Sequence, residues 1–254
     1  MNGAQTAETG DKAELAAESS SGLTSEEEKE KAAVEARRER LFESAQNALH
    51  NSLLYALRVA GEDEDGQPCA LSQMKLAKRS GVSRQSIGNY LYSEGDASRS
   101  VASKREVSKN PDLDTLCRIA AALNIPPALL ILTKDDWKQL ALAAHQLPGI
   151  FEDEGIQQVV EKLNESKNPR AHDRAESGLQ LAGRAELYKP VDDSLAASGM
   201  RHELREEVLD RQRAQRRAIR VSSAIAPLQS VEPEYHGPLL WLTSYLGATS
   251  SRDA

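Results

Sequence analysis

From Thr24 to Ala60 the chain contains neither proline nor glycine, the two residues that most readily end a helix. Thr24 and Ser25 precede Glu26, Glu27 and Glu28. A hydroxyl cap followed by acids suits the positive end of a helix dipole. Val34, Leu41, Ala45, Leu49, Leu53, Ala56, Leu57 and Ala60 recur at three-, four- or seven-residue steps, the mark of one apolar stripe. A single long helix is expected here. Its first half is mostly charged, so it extends into solvent or pairs with another copy.

The remaining periodicity is also helical. Leu113, Leu116, Ile119, Ala120 and Leu123 share a face, and Asn124 with Pro126-Pro127 ends that segment. Thr133 caps a further helix that carries Trp137, Leu140, Ala144 and Leu147 on one side, and Pro148-Gly149 stops it. Ile156, Val159, Val160 and Leu163 mark a short helix. Residues 164–190 are polar and weakly patterned, and residues 195–221 again look helical. Few segments alternate with the strand period of two, so the class is all-α. Aromatic residues make up only 4% of the chain, and a core must therefore come from Leu, Ala, Val and Ile.

Four regions follow. Residues 1–24, rich in Ala, Glu, Ser, Thr and Gly, bury too little to offset ordering and are expected to be a disordered acidic tail. Residues 25–133 form one domain with two loop inserts, 61–70 and 94–109. Residues 134–226 are a helical extension and a candidate dimerisation region. Residues 227–254 read as a tail broken by Pro227, Pro233 and Pro238, with a short apolar run at Leu239–Leu242.

Several classes fall away. No stretch approaches the ~20 apolar residues that span a bilayer. The first residues lack an apolar signal segment. Two cysteines, Cys69 and Cys117, cannot make a disulfide framework, and Cys117 is expected to pack as a small apolar residue. The expectation is a cytoplasmic protein without a membrane partner. The net charge of −7 is uneven, because acids outnumber bases nine to three in the first 36 residues. An acidic total therefore does not decide against nucleic acid, since local basic charge is what meets phosphates.

Residues 71–91 carry the chemistry. Ser72 caps a helix whose buried side is Leu76 and Ala77. Gly81 supplies the positive φ of a tight turn. Val82 plugs the corner, and Ser83 caps a second helix whose inward side is Ile87 and Leu91. Arg84, Gln85, Ser86 and Asn89 remain outside, all of them hydrogen-bonding residues. Two short helices at a steep angle, the second polar on its outer side, make a helix-turn-helix, which presents its second helix to the major groove.

The segment resembles the lambda-repressor-like (XRE/Cro) family of DNA-binding domains. Leu71, Ser72, Gln73, Leu76, Ala77, Gly81, Val82, Ser83 and Ile87 match at the family's spacing. Asn110–Leu116, Ile119-Ala120, Ala122–Ile125 and Leu129-Leu130 look like its fourth and fifth helices. The resemblance covers about Leu49 to Leu132. It implies that Ser83, Arg84, Gln85 and Asn89 contact bases. Arg pairs with guanine O6/N7, and Gln or Asn with adenine N6/N7. It further implies phosphate-side roles for Gln73, Lys75, Lys78, Arg79 and Ser86, which position without specifying. Arg99, Lys104 and Arg105 in the second insert are added as flanking phosphate contacts, with a solvated loop as the alternative. Two departures from the family are the long inserts. A third is Gly88 within the reading helix, which costs about 1 kcal/mol against Ala.

Other chemistry is weaker. His50, His145, His172, His202 and His236 are scattered, no phosphate loop occurs, and no metal or cofactor is expected. Ala182-Gly183 resembles the self-cleavage bond of some phage repressors. Lys189, however, is the only later lysine, and no serine lies between. Self-cleavage is set aside, and the chain is expected not to be an enzyme. Arg213, Arg216, Arg217 and Arg220 share a helical face, as a solvated or locally ion-paired surface or a second DNA contact. The reading is a regulator, a repressor from a phage or mobile element, that binds double-stranded DNA as a homodimer on a palindromic operator. The rivals are an antitoxin that binds a toxin protein through its C-terminal helices and a non-specific DNA-organising protein.

Overall fold

A computed structural model describes residues 25–63, 67–91, 111–147, 153–166, 168–188 and 201–250. The expected tail 1–24 and the insert 94–109 lie outside the described residues. Within them the chain is mostly helical, with nine α-helices and one two-residue strand pair.

The chain divides into two compact units, residues 1–43 and 44–254. Helix α1 (Ser25–Val59) starts in the first. Every described side chain from Glu27 to Glu43 is exposed, including Val34, Leu41 and Phe42. Arg38 and Glu35 pair at 2.8 Å along this surface.

The core of the second unit begins with the later half of α1, where Leu49, Leu53 and Ala56 are buried on the expected stripe and Val59, outside that stripe, is buried too. Strands β1 (Gly61–Glu62) and β2 (Pro68–Cys69) pair antiparallel, with Gly61 opposite Cys69. The Leu71 N–H then donates to Leu57 O at 2.7 Å, which returns the chain to the end of α1. Helices α2 (Gln73–Ser80), α3 (Arg84–Leu91) and α4 (Leu113–Leu123) follow. Leu113 of α4 stands outside at 74% exposure, and Cys117 is exposed instead of packed. The inward face of α4 is Ile119, Ala120 and Leu123, so Cys117 falls between the buried positions. Asn124, at φ 57°, closes α4. A 3-10 turn, Pro127–Leu130, leads to α5 (Lys134–His145). A reciprocal cap starts α5: Thr133 Oγ1 accepts from the Asp136 N–H at 3.3 Å, and Asp136 Oδ2 accepts from the Thr133 N–H at 2.8 Å. Trp137 is buried beneath it.

The C-terminal half departs most from expectation. After α6 (Glu154–Asn164) comes α7 (Ala171–Arg184), inside the stretch read as weakly patterned. It is an inner helix that buries Ala171, Arg174, Ala175, Gly178, Leu179, Leu181 and Ala182. Helix α8 (His202–Ile225) is exposed at its start and buried from Ala218 onward. The expected tail contains α9 (His236–Ser250), which buries Leu239, Leu240, Thr243, Ser244 and Ala248. Pro238 does not prevent it, because a first-turn N–H needs no helical partner.

Polar and small residues knit α7, α8 and α9 together. Ser244 Oγ donates to Gly178 O at 3.0 Å and lies 3.1 Å from Ser223 Oγ. A β-carbon on Gly178 would run into the Ser223 hydroxyl, so the close approach requires glycine. Arg174 is 2% exposed. Its guanidinium donates to Ala224 O at 3.1 and 2.6 Å, to Pro169 O at 3.3 Å and to Gln229 Oε1 at 3.4 Å. It also lies 4.5 Å from the Tyr55 ring centre. Carbonyls and a π-face thus hold a buried cation at the C-terminal end of α8, where the helix dipole favours positive charge.

Candidate nucleic-acid interface

The α2–α3 segment is built from short-range hydrogen bonds. Ser72 Oγ accepts from the Lys75 N–H at 3.2 Å and opens α2. Leu76 is fully buried. Gly81 adopts φ 67°, and its N–H donates to Ala77 O at 2.9 Å, which ends α2 in a left-handed cap. Val82 is buried in the corner. Ser83 Oγ accepts from the Ser86 N–H at 3.0 Å and lies 2.9 Å from Ser86 Oγ, which opens α3. Ile87, Gly88 and Leu91 face inward.

That packing sets what is left outside. Ser83, Arg84 and Gln85 are exposed, while Ser86 and Asn89 are half-buried. Among the described residues, Arg84 and Gln85 enter no side-chain hydrogen bond or ion pair. The Ser83 and Ser86 hydroxyls are already engaged with each other and with the cap. On α2, Lys75 and Lys78 are exposed and Gln73 is half-buried.

Arg79 is exposed as well, and it feels charges from elsewhere in the fold. Partial burial and the neighbouring Arg217 pull its pKa below the ordinary guanidinium value, and Glu62 opposes them. Arg79 thus lies within electrostatic reach of the Glu62–Arg217 pair. Arg99, Lys104 and Arg105 lie outside the described residues.

The arginine face of α8 is neither uniformly solvated nor uniformly paired within its helix. Arg213 bonds to Asp210 and Arg211 to Glu207, each at 3.3 Å, as local pairing expects. Arg217 instead reaches Glu62 at 2.9 Å, with both side chains under one-fifth exposed. Arg220, 3% exposed, lies 3.7 Å from Glu176 of α7. Burial lowers the Arg220 pKa, and Glu176 works against it. These two cations turn into the fold. Sequence gave no sign of it, because Glu62 lies 155 residues from Arg217 and reads as part of an acidic loop.

His236 is another residue whose role the sequence hid. Its Nδ1 lies 2.6 Å from Asn164 Oδ1, and its Nε2 lies 2.9 Å from Leu228 O. Burial pushes its pKa below the ordinary histidine value, against the opposing pull of the Leu228 and Val231 carbonyls. It joins α6, the turn before α9 and α9 itself.

A separate pocket of about 520 Å³ opens between the later half of α1, the start of α5 and the end of α8. Asn47, Asn51, Tyr55, Lys134, Trp137 and Gln229 are among its lining residues. Among the described residues, no three His, Cys, Asp or Glu side chains gather as metal ligands, and no helix is long and apolar enough to cross a membrane.

No protein-family model matches this chain, and neither the curated proteins nor the solved structures give a significant match.

Proposed function

We propose that the chain is a sequence-specific DNA-binding regulator that uses α2, the Gly81 turn and α3 as a lambda-repressor-like helix-turn-helix. One observation carries this reading. The N-terminal flank of α3 presents Arg84 and Gln85 to solvent, without partners among the described residues, on a helix anchored by Ile87 and Leu91. A buried inner face fixes the rod, and an arginine with two parallel donors and a glutamine with a donor and an acceptor project from its start. That is the form in which base edges are read.

Arg84 reads guanine, and Gln85 reads adenine. Asn89, one turn further on, adds a third contact as the helix settles into the groove. Ser83 acts chiefly as the cap that points α3. Gln73, Lys75 and Lys78 meet phosphates and set register. Arg79, whose charge Glu62 partly balances, contributes less. Two copies bind a palindromic operator of a phage or mobile element and exclude RNA polymerase from it. Binding is the activity, and no bond is made or broken.

Selection of bound duplexes from a random pool tests this. The expected result is an enriched motif with two inverted half-sites about one helical turn apart. A pool that stays random after repeated rounds would overturn the reading.

A further inference from the structure

Arg174 is a buried cation with no carboxylate at ion-pair distance among the described residues. Its donors end on carbonyl oxygens of Ala224, Pro169 and the Gln229 side chain. Asp173 favours its charge from further off, and Arg58 opposes it. The negative end of α8 supplies only about half an elementary charge. A full positive charge in a low-dielectric interior is thus balanced in part, and its field extends into open space beside it.

That space is the pocket of about 520 Å³ between α1, α5 and α8. Tyr55 and Gln229, which both touch Arg174, form part of its wall. Arg174 donates to Gln229 Oε1, so the end of that amide left for the pocket is its nitrogen, a donor. Lys134 and the Asn47 amide line the same space, and neither side chain enters an ion pair or hydrogen bond among the described residues. Asp135 is the one carboxylate among the described lining residues. Its side chain is 93% exposed, so water and salt screen it. Trp137 and Ile225, each 2% exposed, give the pocket an apolar floor. Donors backed by a buried cation above an apolar floor suit a negatively charged head on an uncharged body. The volume lies within the roughly 300–1,000 Å³ of small-molecule sites.

We infer that this pocket binds a small organic anion, with its carboxylate or phosphate head held by Gln229, Asn47 and Lys134 and its body on Trp137 and Ile225. The site stands apart from base reading by α3.

Two bare head groups, inorganic phosphate and acetate, probe it on the full chain. Each is added at about 20 mM against sodium chloride of equal ionic strength, and the melting temperature is read. At least one should raise it by about 2–4 °C, and the larger shift names the head group. Gln229→Glu gives Arg174 a carboxylate partner and sets a like charge before the ligand. It should melt at or above wild type in chloride and lose the response. Lys134→Gln should at least halve the shift, and Asp135→Asn, which removes the opposing charge, should enlarge it. No response to either anion beyond that of chloride would overturn the inference. So would a shift that Gln229→Glu and Lys134→Gln both keep in full. Duplex binding that falls with Gln229→Glu and rises with Asp135→Asn would overturn it too, because the site would then take nucleic-acid phosphates in place of a free anion.

Discussion

Arg84 and Arg220 are the same residue type on helices of one unit, yet Arg84 is exposed and Arg220 is 3% exposed. The regions around them are built differently. The α2–α3 segment takes its shape from neighbours: Ser72 caps Lys75, Gly81 closes on Ala77, and Ser83 caps Ser86. The α7–α9 region takes its shape from distance. Ser223 meets Ser244, Ser244 meets Gly178, and Arg174 reaches Ala224, with 21, 66 and 50 residues between the partners. A locally built element can leave its polar side chains for another molecule. A region built from distant partners spends them on itself.

The comparison should break first at Arg174. Arg174→Ala removes both guanidinium donors to Ala224 O and empties the space beside Tyr55. A loss of about 2–4 kcal/mol is expected, read as a lower urea midpoint. A variant as stable as wild type would mean that the buried cation does not hold the C-terminal helices. Next, Gly178→Ala drives a methyl group into the Ser223–Ser244 contact. Overpacking of about 1–3 kcal/mol should appear in the same measurement.

Changes in the other region should move binding and spare stability. Arg84→Ala or Gln85→Ala should weaken operator binding by about 1–3 kcal/mol, and stability should stay within about 0.5 kcal/mol of wild type. Ser83→Ala sharpens the contrast, because the Ser83 hydroxyl is engaged chiefly in the cap of α3. It should cost about 1 kcal/mol of stability. Specificity for the operator's bases should persist.

The smallest expected effect is a pH slope from His236. Its folded pKa lies below the ordinary value near 6.5, so the unfolded chain takes up the proton first. Stability from this group is complete above about pH 6.5 and declines as pH falls. Urea midpoints at pH 7.5 and 5.5 should differ more in wild type than in His236→Gln. Equal differences would locate the slope elsewhere.

What the sequence made legible follows the same division. The long helix, the caps at Ser72, Ser83 and Thr133, and the left-handed Gly81 were readable because each rests on residues at most a few positions apart. Helix α7 was not readable. Its inward face includes Arg174 and Gly178, whose burial follows only from contacts with α8 and α9. Helix α9 was hidden by Pro238 and by Pro227 and Pro233 before it, and by Thr243, Ser244 and Gly247, which are buried although none is apolar in the usual sense. On α8, periodicity placed Arg213, Arg217 and Arg220 on one face, but the inward turn of the last two depends on Glu62 and Glu176.

The central claim is that the outer flank of α3 reads bases. The most direct measurement is fluorescence anisotropy of wild type and R84A/Q85A on the selected operator and on a scrambled duplex of equal length and salt. The expected result is at least a tenfold loss of affinity for the operator, with scrambled-duplex affinity nearly unchanged. Equal losses on both duplexes, or none on either, would contradict base reading by α3.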